Sequence, residues 1–540
     1  MSQKSAKQNR KVQDLEALLK QSEERCTKLE KENKELRQKM DRLTEQFLNA
    51  QRAQFGQSSE KTEYVMADQL RLFNEAEASE EAKPEAETKV NVSAHKRTKK
   101  PRRSLEELKK MLPKREVILD IPEEALVCAK CGGKLKVIGK KFLRTELNLI
   151  PARMELVEYY IRTYACEDCE PKTGFASIYS AKPAPALLKH SLASASTVAD
   201  VMVKKYVDGI PLTRQEKIWE REGVELSRAT LANWVIQVSQ NWLKPVYERL
   251  KEGLLASHVI HADETVIQVL KEDGKKASSE SRMWVYASSE RSARQVRYFE
   301  YQPDRKGARA VQFLEGFHGC LVTDGYAGYE QVPGVVRCGC WAHMRRKWRD
   351  AMPKGATMST SKAAVGYDYV NKLFLLERKF AKMKNEERKN ARQAMEAPLL
   401  DAYWLWLKTL EPTPGSKLAE AVTYARNQQA ALCAFLEHGD VEISNNAAEN
   451  AIRPFAVGRK NWLFSDTVKG AESSAIVYTL VETAKANGLE PYAYLCQLME
   501  DLPWYGLNPS KEDLDNALPW SPRMQQLKAL ADAQSDTNDL

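Results

Sequence analysis

The sequence predicts a multidomain α+β protein: a coiled coil, a cysteine module, a helical stretch and a larger core that mixes strands with helices. Three observations predict it. A heptad repeat occupies residues 12–47, two CxxC pairs lie between residues 128 and 169, and from Ser257 the hydrophobic period shifts towards that of strands. At 540 residues the chain is too long for one ordinary core. A hydrophobic fraction of 43% supports folded domains, and 29% charged residues favour solubility. No apolar run is long enough for a membrane span, and the polar N-terminus lacks the apolar region of a secretory signal, so a cytoplasmic location is expected.

The heptad has Leu15, Ser22, Leu29, Leu36 and Leu43 in one set, and Val12, Leu19, Cys26, Asn33, Met40 and Phe47 in the other. Leucine at d with a single Asn at a suits a parallel two-stranded coil, because a buried Asn costs stability unless it fixes register. Arg25 can face Glu30 of the partner helix, and Glu32 can face Arg37. A lone amphipathic helix packed on its own chain is the plainer alternative. Gly56-Gln57-Ser58-Ser59 then breaks the helix.

The net charge of +9 is unevenly spread. Glu75 to Glu87 holds six Glu and one Lys, whereas His95 to Arg115 holds ten Lys/Arg against Glu106 and Glu107. An acidic block before a basic one reads as a solvated linker, and its basic half also suits a phosphate backbone.

Cys128, Cys131, Cys166 and Cys169 have the spacing of a four-thiolate structural Zn²⁺ ribbon. The spacer is rich in Val, Ile, Tyr and Leu, as a β-hairpin would be. A redox site would need only one pair. Residues 191–240 look helical. One helix ends at Gly223, and another starts after Ser227, a plausible N-cap. This resembles a helix-turn-helix with Arg228, Thr230 and Asn233 towards DNA and Leu231 and Trp234 in the core; a simple α-hairpin fits the pattern equally well.

Strands are expected at His258–Leu270, Met283–Ser288 and Gln295–Tyr301, a helix at Gly307–Phe317, then strands at Gly319–Thr323 and Val335–Cys338. This order suits a mixed sheet with helices on its faces. Asp263 follows one apolar run and Asp324 ends another. Glu449 lies in a two-faced helix, with Asn446, Asn450 and Arg453 on its polar side and Ala448, Ala451, Ile452 and Phe455 on the other. Pro454 is expected to bend or end this helix. A ribonuclease H-like fold places metal ligands at such positions, and three carboxylates can hold two divalent ions, Mg²⁺ or Mn²⁺, for phosphodiester chemistry. Glu264 is left out, because on a strand it points away from Asp263. No nucleophilic Ser, Tyr or Cys constellation is evident.

Residues 347–438 read as a helical insertion between the last strand and the acidic helix. Just before it, Cys338, Cys340 and His343 hint at a second metal site without an evident fourth ligand; a buried cysteine strand entering a basic helix is simpler. Arg345 and Arg346, with Arg453, Arg459 and Lys460 downstream, suit a phosphate-lined groove.

These motifs together resemble bacterial transposases of the insertion sequence 66 type. The matching residues include Phe55-Gly56-Gln57-Ser58-Ser59-Glu60-Lys61, both CxxC pairs, Asp208-Gly209-Ile210-Pro211-Leu212-Thr213-Arg214-Gln215 and His261-Ala262-Asp263-Glu264-Thr265. They continue with Thr323-Asp324-Gly325-Tyr326, Cys340-Trp341-Ala342-His343 and Asn445-Asn446-Ala447-Ala448-Glu449-Asn450-Ala451-Ile452-Arg453-Pro454. Gln57 departs from the Arg expected there. The resemblance implies a DDE transposase with a ribonuclease H-like core and Asp263, Asp324 and Glu449 as its triad. It also implies binding to the element's terminal inverted repeats and to target DNA, accessory proteins encoded beside it, and a DNA-associated place in the bacterial cytoplasm.

The expected domains are a coil at 1–55, a linker at 56–115, a zinc ribbon at 116–180 and a helical DNA-binding region at 181–250. The core follows at 251–346 and 439–490, around the 347–438 insertion, with a helical tail at 491–540. The coil would make a homodimer or higher oligomer. A DNA-binding regulator without catalysis, or a nuclease that cuts without joining, are the alternatives.

Overall fold

The computed structural model describes residues 184–527 except Lys354, short pieces at 156–160, 163–165 and 178–180, and the single residues Arg25 and Lys28. The heptad repeat, the charged linker and the four CxxC cysteines lie outside the described residues. Beside the second cysteine pair, β1 (Thr163–Ala165) and β2 (Ile178–Ser180) pair antiparallel.

Four helices lead into the core: α1 (Ala195–Tyr206), α2 (Leu212–Arg221), α3 (Arg228–Val238) and α4 (Lys244–Leu255). Ser227 caps α3, its Oγ accepting from Thr230 N at 3.1 Å. Leu231 and Trp234 are buried, as the sequence suggests.

The strands are β3 (Val259–Lys271), β4 (Glu280–Ser288), β5 (Arg297–Gln302), β6 (Cys320–Thr323) and β7 (Val336–Gly339), with helix α5 (Gly307–Phe313) before β6. Their order across the sheet is β5-β4-β3-β6-β7. β3–β4 and β4–β5 are antiparallel; β3–β6 and β6–β7 are parallel. This is the mixed sheet expected from the element order. Helix α5 is shorter than the sequence suggests, because Leu314 leaves helical geometry. A short strand, β8 (Ser465–Thr467), pairs with the far end of β3 and has no sequence signal of its own.

Strand alternation divides the core in two. Ile260, Ala262 and Leu321 pack into one apolar cluster with α1, α3 and α4. Val259, Cys320, Val322 and Cys338 join a second cluster. That cluster is closed by α6 (Trp341–Ala351), α7 (Lys362–Phe380), α9 (Ala397–Lys408), α10 (Lys417–Asn427) and α11 (Gln429–Ala434), with α8 (Asn385–Ala391) between α7 and α9 in the chain. Trp341 and Trp348, both fully buried, anchor α6 against α9. Burial of each large apolar side chain stabilises by about 2–3 kcal/mol, so these helices share the sheet's core instead of hanging from it.

After them runs α12 (Asn446–Trp462), then α13 (Val468–Ala486), α14 (Pro491–Tyr505) and α15 (Lys511–Asn516). Val441 and Ile443 belong to the second cluster and Ala448, Ala451 and Ile452 to the first, so the chain passes between faces just before Glu449. Pro454 does not end α12, which continues through it to Trp462. The proline leaves the carbonyl four residues back without its donor, but that residue, Asn450, is exposed to water. Phe455, Ala456 and Gly458 stay packed beyond it. Among the described residues, no helix is long and apolar enough to cross a membrane.

Candidate active site

The parallel register of β3 and β6 pairs Val259 with Cys320 and His261 with Val322. Continued by two residues, it sets Asp263 beside Asp324. By alternation both side chains share the face of Val259 and Val322, where the second cluster packs. Asp324 Oδ1 accepts from Tyr326 N at 2.9 Å, and Arg337 Nη2 donates to the Asp324 carbonyl at 2.6 Å. A Cβ on Gly325 would lie 2.7 Å from a ring carbon of Tyr424 on α10, so the glycine leaves room for that side chain over the turn.

Asp263 Oδ1 accepts from Glu264 N at 2.9 Å. Burial holds the Asp263 carboxyl well above the usual carboxylate range, and the charges of Glu264, Asp324 and Glu449 push it further the same way. Acids from two other segments of the chain thus add to the effect of burial on Asp263.

Glu449 sits in the first turn of α12. On the polar side that the sequence gives this helix, Glu449 is only 8% exposed, while Asn446, Asn450 and Arg453 face solvent. The residue that turns it inward is Asn445, fully buried at the head of the helix. Asn445 Nδ2 donates to Ala262 O at 2.9 Å, and its backbone N–H donates to Cys340 Sγ at 3.2 Å. The helix start is thereby tied to β3 one residue before Asp263.

His343 Nδ1 lies 3.6 Å from Glu449 Oε1, and Arg346 Nη2 lies 3.9 Å from Glu449 Oε2. Donor atoms of Cys340, His343 and Glu449 all fall within 4.8 Å of one another. Burial works against the charged imidazole of His343, but Cys340, Glu449 and Asp324 together carry it up to about 10. The Cys338, Cys340 and His343 trio suggested by sequence is thus split: Cys340 and His343 turn towards Glu449, and Cys338 turns towards Cys320.

Glu264 is engaged elsewhere, accepting from Tyr329 Oη at 2.6 Å and Arg305 Nε at 2.6 Å. Burial and the Asp324 charge raise its carboxyl, against the pull of Arg305. Sequence reasoning missed a second support. Buried His261 Nε2 meets Glu442 Oε2 at 2.9 Å, and Ser289 Oγ donates to Glu442 Oε1 at 2.6 Å. The only signal for it is the alternation that puts His261 on the face of Asp263.

Of the residues read as DNA contacts, Arg228, Asn233, Arg453 and Lys460 are exposed. Thr230 is half-buried at the cap of α3, its hydroxyl 3.0 Å from that of Ser227. Arg345 stacks over Tyr367 and Phe374 of α7. Arg459 Nη1 donates to the Val266 carbonyl of β3.

Four family descriptions match the chain: "Transposase IS66 family" over 190–473, "zinc-finger binding domain of transposase IS66" over 126–170, "IS66 C-terminal element" over 479–520, and "Transposase C of IS166 homeodomain" over 42–117. Two relatives are uncharacterised proteins of Sinorhizobium fredii (strain NBRC 101917 / NGR234). The protein y4qI is 30% identical over 533 residues, covering 94% of this chain and 93% of its own length. The protein y4jD is 30% identical over 437 residues, covering 78% and 82%. Among solved structures, the Drosophila P element transposase strand transfer complex matches with a TM-score of 0.32 and 10% identity, over 55% of this chain and 94% of that one. With one family description spanning 190–473 and a relative aligned along 94% of its length, the chain belongs to the IS66 transposase family.

Proposed function

We propose that this chain is a DDE transposase that binds the terminal inverted repeats of its element, cuts DNA at the ends and joins the ends to target DNA. Its catalytic carboxylates are Asp263, Asp324 and Glu449, in a ribonuclease H-like core interrupted by the helical insertion 347–438. The observation that supports this reading is the parallel β3–β6 register, which when continued sets Asp263 level with Asp324, together with a buried Glu449 in the helix that Asn445 ties to β3 beside Asp263.

The donor set fits hard divalent cations. All three side chains offer only oxygen, and Glu449 Oε1 is buried without a hydrogen-bond partner among the described residues. Mg²⁺ or Mn²⁺ held by these residues would activate water and offset charge on the phosphate.

The chain's own residues supply the rest. Asn445 holds Glu449 against β3, and Arg337 fixes the Asp324 turn. His343 and Arg346 bring positive charge beside Glu449. In the first step a water oxygen attacks the phosphorus at the element end, the bond to the 3′ oxygen breaks, and the freed oxygen takes a proton. In the second, that 3′-OH attacks a target phosphodiester and displaces a target 3′ oxygen. No protein nucleophile is required.

In the same reading, Cys128, Cys131, Cys166 and Cys169 hold a structural Zn²⁺, the N-terminal heptad pairs two chains, and exposed basic residues such as Arg228 and Lys460 contact phosphates. The test is Asp263→Asn with end-bearing DNA. Metal-dependent cleavage should fall by at least about a thousandfold while repeat binding changes little. Undiminished cleavage would remove Asp263 from the site. Precut ends that fail to join with the unaltered protein would leave a nuclease only.

A further inference from the structure

A second cluster of metal-type donors lies away from the three acids, at the opposite end of the central strands. His258 immediately precedes β3, Cys320 opens β6, and His438 stands in the loop that returns from the helices to α12. Ligand atoms of all three lie within 4.8 Å of one another. We propose that His258, Cys320 and His438 bind a transition-metal ion, Zn²⁺ by the chemistry of the donors, which fastens the returning loop to the sheet.

The geometry is built, not incidental. Cys320 N–H donates to His258 O at 2.8 Å, fixing two of the donors relative to each other. The backbones approach so closely that a Cβ on Gly319 would lie 2.1 Å from His258 O. The third donor is held from the other side. Fully buried Arg392 donates to the His438 carbonyl at 2.5 Å and to the Val441 carbonyl at 2.8 Å, and Arg388 donates to Gly439 O at 3.1 Å.

The surroundings also suit a ligand set. Asp440 Oδ2 lies 2.6 Å from His258 Nδ1. A carboxylate on one ring nitrogen is the usual means of orienting a metal-bound imidazole, and it leaves Nε2 for the ion. Imidazole and thiolate together select Zn²⁺ over Mg²⁺, so this site and the three acids would take different ions. From His438 to Glu449 is eleven residues (449 − 438). An ion here would set where the acidic helix begins without touching the reacting atoms.

The experiment uses the full chain. Zinc content is measured by mass spectrometry after exhaustive dialysis, for the unaltered protein, for His438→Ala, and for the ribbon variant Cys128→Ser/Cys131→Ser. His438→Ala should lose about one equivalent of zinc, and the ribbon variant should retain that same equivalent. Cobalt substituted into the ribbon variant should show a thiolate charge-transfer band that Cys320→Ser abolishes. Added zinc should raise the thermal midpoint of the ribbon variant but not that of its His438→Ala derivative. Equal zinc in the unaltered protein and His438→Ala would overturn the proposal, and so would loss of the extra ion on His343→Ala instead. Neither result bears on the role of Asp263.

Discussion

Glu442 shows how a single side chain ties the acids to the surrounding fold. Burial alone would raise its carboxyl, but the hydrogen bond and charge of His261 and the hydroxyl of Ser289 carry it from 4.5 down to about 2. A carboxyl depressed in the folded state contributes stability that is fully present above its unfolded value and is lost as pH falls through the folded one. Glu442 should therefore add about 2–3 kcal/mol at neutral pH, vanishing between about pH 4.5 and 2. Urea unfolding of Glu442→Gln should show that deficit at pH 7 and a much smaller one near pH 2.5. Parallel stability curves for the two proteins would rule out this linkage. The candidate acids themselves were legible at this scale, because each ends or interrupts an apolar pattern. Their supports were not. His261, Asn445 and Cys340 meet across 105 to 184 positions of sequence, and no local period records such a meeting.

At the scale of elements, the helices between β7 and α12 are joined by a buried ionic network. Glu377 on α7 accepts from Arg392 Nε at 2.8 Å and from Arg388, and all three side chains are nearly or fully enclosed. Glu396 beside them is pushed up to about 8 by burial and by Glu377, so it is mostly neutral at pH 7. Glu377→Gln would leave two enclosed guanidinium groups without their carboxylate. The expected loss is about 3–5 kcal/mol, readable as a lowered denaturation midpoint; a change within experimental scatter would mean that the arginines find other acceptors. The long strands were legible in the sequence because their β-branched and aromatic runs are dense. The length of α12 was not, since a proline normally stops a helix and only tertiary burial of Phe455 and Ala456 carries it on. The three-residue β8 is too short to leave a pattern.

For the whole molecule, the mixed sheet followed from element order, but the function of its second face did not. The sequence marks residues 347–438 as extra length; it says nothing of what they cover. In the structure they enclose Val259, Val322 and Cys338. Replacing residues 353–437 by a short flexible linker should therefore yield aggregated protein, because an apolar face of the central strands would meet water. A soluble, cooperatively melting product would show instead that the sheet stands alone.

The shared core also limits how this lineage can vary. A unit stitched into both the sheet and the segment leading to α12 cannot be exchanged between relatives as a ready-made cassette, since each graft would need matching partners on the host strands. Drift in length should concentrate in the surface stretch between α6 and α7 and in the one between α9 and α10, where chain can be gained or lost without disturbing the fit.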